Sequence, residues 1–208
     1  MQLRDCSRRQ AEQFIEAGFV RVDGQVVHEP QHRVLHEVVT VDPNATVLAL
    51  QPLTYILNKV AGQVPTLSGR LSKLASCVPL ENAASGLVVF TQDWRIERKL
   101  TEHMAEMEHE LMADVQGEVP PQALEQIQRL LQDDRQRLPM AKVSLSSAKP
   151  THSTLRFAVK GAHPGLVAYL CDQASLELVA LRRIRLGRVV LGDLAAGAWR
   201  NLGEFERF

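Results

Sequence analysis

The segment SRRQAEQFIEAGFVRVDGQVV, residues 7 to 27, changes its apolar spacing partway along. Ala11, Phe14, Ile15 and Gly18 fall on one face of a helix, and Ser7 stands where a helix needs an N-cap. Beyond Gly18 apolar and polar residues alternate around Asp23-Gly24, a pair that tolerates the left-handed backbone of a tight hairpin. HRVLHEVVTVDP reads as a further strand closed by Asp42-Pro43. A capped helix on a hairpin makes a small unit, and PNATVLALQP reads as its connector to the rest. Two units are expected, at 1–48 and 52–208.

The second unit mixes helices and strands without a regular βαβ alternation, so the fold class is α+β. LTYILNKVAG is a strand running into a turn, residues 63–78 are irregular, and SGLVVFTQD is a buried strand. Residues 94–107 are helical, ELMADVQG is a strand, and PPQALEQIQRLLQ is a helix with Pro before its first turn. KVSLSS and STLRFAVKG form a strand pair, residues 164–174 a weak helix, and ELVALRRIRLGRVVLGDL is strand-rich. GAWRNLGEFERF reads as a polar tail.

Lys+Arg and Asp+Glu both number 24, so nucleic-acid contact must come from local clusters rather than a global field. Aromatics at 5% argue against broad base-stacking platforms. Cys6, Cys77 and Cys171 are far apart, which suits a reducing compartment and gives neither a zinc motif nor a disulfide framework. With no bilayer-length apolar stretch and no signal peptide, a cytoplasmic, monomeric protein is expected, with no membrane contact, metal or cofactor.

Arg8 and Arg9 sit at the start of a helix, where backbone N–H groups favour an anion, and Arg21 projects from the hairpin. The plainer reading is a solvated face in which Arg8 and Arg9 pair with Glu12 and Asp5. SRRQAEQFIEAGFVRVDGQVV resembles the S4 RNA-binding domain, with its Ser-Arg-Arg-x-Ala, a Gly, and a strand with an Asn/Asp-Gly turn. The resemblance implies that Ser7, Arg8, Arg9 and Arg21 face structured RNA. S4 modules carry a longer helix before this point, whereas only MQLRDC precedes it here, so the module is expected to be N-terminally short.

Over nearly its whole length the chain resembles the bacterial S4-domain-containing pseudouridine synthases that modify single uridines of ribosomal RNA. YILNKVAG is similar to the family's Leu-Asn-Lys-Pro-x-Gly strand, and LRRIRLGRVVLGDLAAGAWRNLGEFE to its closing segment, with Arg183, Arg185, Gly187 and Leu191 in place. The resemblance implies a pseudouridine-synthase-like domain built on a central antiparallel or mixed sheet. The family's nucleophilic aspartate lies in Gly-Arg-Leu-Asp, which here is Val78-Pro79-Leu80-Glu81, and its following Thr/Ser is Ala84. Glu81 keeps a carboxylate but adds a methylene, and near-attack geometry tolerates little displacement. Leu111 stands where the family tyrosine assists proton transfer, and it has no proton to give. On the late helix Leu166, Ala168 and Tyr169 replace Gln, Arg and Arg. Tyr169 is a candidate to stand in for the missing tyrosine.

The favoured reading is therefore a structured-RNA binder with a degraded catalytic motif. Its rivals are an active synthase using Glu81 and a protein-interaction module that has lost RNA. Lys59 and Arg70 are candidate RNA contacts in the old cleft, or solubilising surface. Arg183 and Arg185 share one strand face and Arg182 and Arg188 the other, and at least one pair is expected to contact phosphate. His28, His32 and His36 recur every four residues, but Pro30 breaks the helix a metal face would need. His103 and His109 are expected exposed on a charged helix, and Met104, Met107 and Leu111 in the core. Asp93 and Trp94 end a strand and anchor the next helix.

Overall fold

The computed structural model describes residues 6–45, 53–67, 71, 74–78 and 80–208. The chain divides into two compact units, Met1–Pro52 and Leu53–Phe208.

In the first unit, helix α1 (Arg8–Glu16) starts at Ser7, whose Oγ accepts from the Gln10 N–H while the Gln10 side chain accepts from the Ser7 N–H. Strands β1 (Val20–Val22) and β2 (Gln25–Val26) form the expected hairpin across Asp23-Gly24, both with positive φ. Strand β3 (Val39–Val41) pairs on the other edge of β1. Phe14, Val20 and Ala45 form the small core. The strand expected over HRVLHEVVTVDP is thus only its last portion. Residues 32–38 are exposed and irregular, and the Glu37 carboxylate folds back to accept from the Leu35 and His36 N–H groups.

The second unit is built on an eight-stranded mixed sheet. Its strands are β4 (Thr54–Lys59), β5 (Ser85–Thr91), β6 (Glu108–Gln116), β7 (Ala141–Ala148), β8 (His152–Lys160), β9 (Leu178–Leu186), β10 (Val189–Val190) and β11 (Trp199–Asn201). The order is β11-β4-β5-β9-β6-β8-β7, with β10 folded onto β9. Among the described residues only the central β5–β9 pair is parallel. Helix α2 (Trp94–Glu102) covers one face of the β4–β5 half through Leu100, which packs with Ile56, Leu87 and Val89. Helices α3 (Pro121–Gln132) and α4 (Leu166–Gln173) pack Ile127 and Leu170 onto Val115, Leu155 and Phe157 of the other half. All six residues of β4 are buried, so this half of the sheet lies inside the domain and shows no apolar–polar alternation.

α2 ends at Glu102, a 3-10 turn spans Met104–Glu106, and β6 begins at Glu108. His109 is therefore on a strand and 3% exposed, not on a charged helix surface. Asp93 does cap α2, accepting from the Arg95 N–H at 2.9 Å and from the Arg95 side chain, whose guanidinium holds the carboxyl below its usual range. Trp94, the first residue of α2, is exposed.

The polar tail is a structural strap. Trp199–Asn201 pair with β4, the Trp199 ring meets Tyr55 edge-on, and Phe208 packs beside Met107. Arg200 donates to both Glu206 oxygens at 2.6 and 2.8 Å and to the Val190 carbonyl at 3.1 Å, and the Gly203 N–H donates to Glu206. Glu206→Ala is expected to cost about 1–2 kcal/mol, with Glu206→Gln costing less. Urea unfolding checks this; an unchanged midpoint would show that the strap adds nothing.

Candidate functional site

The loop before β5 carries Glu81 and is fixed from behind. Lys59, at the end of β4, reaches its ammonium to the carbonyls of Asn82 (2.7 Å), Ala84 (2.6 Å) and Val60 (3.3 Å). The Gly62 N–H adds a bond to the Asn82 carbonyl at 2.7 Å. Lys59 is 2% exposed, and burial holds its ammonium below the usual lysine range. Both sequence readings of Lys59, an RNA contact or solubilising surface, need an exposed ammonium; instead it is buried and ties the Glu81 loop to the sheet. Arg70 and Pro79 lie outside the described residues.

β5 and β9 meet as parallel neighbours at Ser85–Arg182 and Gly86–Arg183. Arg183 is wholly buried, donating through Nε to the Leu87 carbonyl at 2.8 Å and through Nη2 to the Val78 carbonyl. Burial pushes its guanidinium down to about 9, so it remains charged at neutral pH.

The register of β6 against β9 slips between Glu110 and Leu111, where Ile184 is the extra residue. This bulge reverses the expected alternation. Arg183 pairs with Leu111 and Arg185 with Glu110, so the two arginines point to opposite faces. Arg185 bonds Glu110 and Glu108, and Arg156 reaches Glu110 at 2.6 Å. Arg185, then burial, then Arg156 set the Glu110 carboxyl, and the net effect holds it below its usual range. Arg185 is thus part of an ion-pair network on the sheet and does not form a phosphate-facing pair with Arg183.

On the Arg183 face lies a cavity of about 30 Å³ lined by Leu80, Glu81, His109, Leu111, His163 and Arg183, among others. That is room for a water or two. The Glu81 Oε1 accepts from the Gly165 N–H at 2.7 Å, just before α4. His109 Nε2 is buried with no hydrogen-bond partner among the described residues. Burial first, then the charges of Arg183 and His163, push its pKa down to about 3, so the ring is neutral. The sequence reading brought Glu81 and Arg183 to one place and missed His109, His163 and Gly165. Strand alternation across His109, Leu111, Ala113 and Val115 would have placed His109 inward; the bulge left no such signal.

In the first unit Ser7, Arg8, Arg9 and Arg21 are all exposed. The Ser7 hydroxyl is occupied in capping, and Arg8 pairs with Glu12 at 3.1 Å across a solvated helix turn, a bond worth little on its own. Asp5, the other expected partner, lies outside the described residues. Arg21 donates to the Gly24 carbonyl within its own hairpin. Among the described residues no group of three His, Cys, Asp or Glu is placed to hold a metal, and no helix is long and apolar enough to cross a membrane.

The S4 domain profile matches residues 2–39. An uncharacterized RNA pseudouridine synthase of Mycobacterium leprae is 28% identical, covering 95% of this chain and 84% of its own. The ribosomal large subunit pseudouridine synthase B of Pseudomonas aeruginosa is 26% identical over 96% of this chain and 57% of its own length. Among solved structures, a pseudouridylate synthase superposes with a TM-score of 0.57 over 95% of this chain and 91% of its own at 18% identity, a likeness of fold. An S4 profile on the first unit, and relatives aligned along both units, make the chain similar to S4-domain RNA pseudouridine synthases.

Proposed function

We propose that the protein binds structured RNA, ribosomal RNA in the first instance, and that it does so without efficient isomerisation of uridine. RNA binding is supported by the S4 match and by exposed Arg8, Arg9 and Arg21 within it. The Pseudomonas relative, named for the large ribosomal subunit, supports the choice of RNA. One observation carries the loss of chemistry. The Glu81 carboxylate is engaged by the Gly165 N–H at the rim of the cavity instead of standing free to attack. Leu111 on the same cavity cannot transfer a proton. The rival reading, an active synthase, draws on one fact: Glu81 and Arg183 line that same cavity.

Pseudouridine mapping of ribosomal RNA from a strain lacking the protein, complemented with wild type or Glu81→Ala, separates the two. No site is expected to change. A uridine that loses its modification and regains it only with wild type would make the protein an enzyme. RNA affinity should fall steeply with salt, and Arg8→Ala/Arg9→Ala should flatten that slope by about 1–2. A salt-independent or absent affinity would favour a protein-interaction module.

A further inference from the structure

One half of the sheet is covered by helices on a single face. Ala113, Leu155, Phe157 and Val143 of β6, β8 and β7 turn towards α3 and α4. Their neighbours along each strand point the other way. One row across that open face is Ser144, Arg156, Met112 and Arg182, in register on β7, β8, β6 and β9. Strands lie about 4.8 Å apart, so the two arginines are anchored about 10 Å apart with Met112 between them. Lys142 lies in the next row and Lys160 in the one beyond. With Arg185, these cations outnumber the carboxylates of the face, Glu108, Glu110 and Asp114. Glu110 holds both Arg156 and Arg185, Glu108 also holds Arg185, and Asp114 accepts from Thr154. Arg182, Lys142 and Lys160 are exposed, and their side chains form no ion pair or hydrogen bond with a described residue. Arg182 also adjoins the buried guanidinium of Arg183 in the chain. Like charges that close raise the energy of the folded chain, and an anion on the face lowers it.

We propose that this open face seats the sugar-phosphate backbone of RNA. Arg182 and the remaining donors of Arg156 take phosphates on either side of Met112, and Lys142 and Lys160 extend the track. The face is distinct from the Glu81 cavity: His109 and Leu111 of β6 line the cavity, and Glu110 and Met112 alternate to the other side. These strands turn no Phe, Tyr or Trp outward, so bases do not stack on them and the contact is blind to sequence. An acidic protein partner fits less well. Met112 is the one apolar side chain larger than alanine in the rows between Lys160 and Thr154, and a protein interface needs larger anchors at its centre. The choice of RNA rests on the reading above; the positive face does not.

The test uses the full chain and purified bacterial ribosomal RNA, with affinity followed from about 0.05 to 0.3 M salt. In Arg182→Ala/Lys142→Ala/Lys160→Ala the salt slope is expected to shrink by about 2–3, and affinity at low salt to fall about tenfold or more. Alanine at the exposed Arg98, Lys99 and Arg129 of α2 and α3 removes as much charge elsewhere and should change the slope by less than about 1. Arg182→Ala alone should melt within about 3 °C of wild type, since its guanidinium has no partner in the folded chain. A larger drop would make Arg182 a structural residue and overturn the proposal. A slope unchanged in the open-face triple variant, while Arg8→Ala/Arg9→Ala flattens it, would overturn the face and leave the RNA reading standing. Wild type without salt-dependent affinity would sink the RNA reading and the face with it. Polyglutamate bound as tightly as the RNA, and released by the same triple variant, would assign the face to acidic peptides and overturn the proposal.

Discussion

Gly86→Ala is expected to leave little or no folded second unit. Gly86 sits where β5 runs parallel to β9, with φ at 103°. A Cβ there would lie 2.2 Å from the Arg183 carbonyl oxygen and 2.8 Å from its nitrogen. Both atoms are backbone in the middle of the sheet, so no side chain can swing aside. Relief requires β5 and β9 to separate, which pulls the Leu87 carbonyl from the buried Arg183 guanidinium. The backbone conformation costs about 1–2 kcal/mol for a residue with a side chain. Overpacking adds about 1–3 kcal/mol or more, and disturbing a buried charge adds to that. A total above about 4 kcal/mol is a large share of the roughly 5–15 kcal/mol that holds a domain together. Soluble yield and thermal unfolding decide it. A variant melting within about 3 °C of wild type, less than about 1 kcal/mol, would mean that the strands are not this close.

The second large effect is on acid stability. The folded chain keeps His109 neutral down to about 3, whereas the unfolded residue titrates near its ordinary 6.5. Between those values the unfolded state binds the extra proton, so stability is full above 6.5 and falls as pH drops through the window. The slope is about 1.4 kcal/mol per pH unit. Over the whole window the loss reaches a few kcal/mol. Glu110, Asp93 and Glu206, whose carboxyls are also held low, add their own loss below about 4.5, so the histidine is read between 6.5 and 5. His109→Phe removes the ionisation and the unpartnered nitrogen while filling similar space. It should unfold at a urea midpoint at or above wild type near neutrality, and its acid limb should be flat down to about 5. Equal slopes for the two proteins would place the His109 proton elsewhere in the titration.

Local chemistry was legible in the sequence wherever neighbours in the chain decide it. Ser7 three residues before Gln10 makes a cap without help from distant parts. Asp23-Gly24 supplies two residues that accept positive φ, and the hairpin follows. The apolar run of β5 is buried on both faces, as its lack of alternation implies. Alignment to a known family carried Glu81 and Arg183 to a common site, and they line one cavity.

Tertiary structure decided the rest, because each remaining property is a relation between segments far apart in the chain. Lys59 looked like surface charge until the carbonyls of Asn82 and Ala84 enclosed its ammonium. Arg183 and Arg185 share a face on any regular strand; one extra residue opposite β6 sends them to opposite sides. The tail reads as polar because its charges are counted singly, yet Arg200 and Glu206 neutralise each other and let Trp199 and Phe208 dock. Gly86 is required by a backbone nearly a hundred residues away. A sequence states which groups are present, and hydrogen bonding and hydrophobic burial along the chain fix its helices and hairpins. Whether a carboxylate attacks or caps depends on what the fold brings within 3 Å of it, and for Glu81 that includes the amide of Gly165.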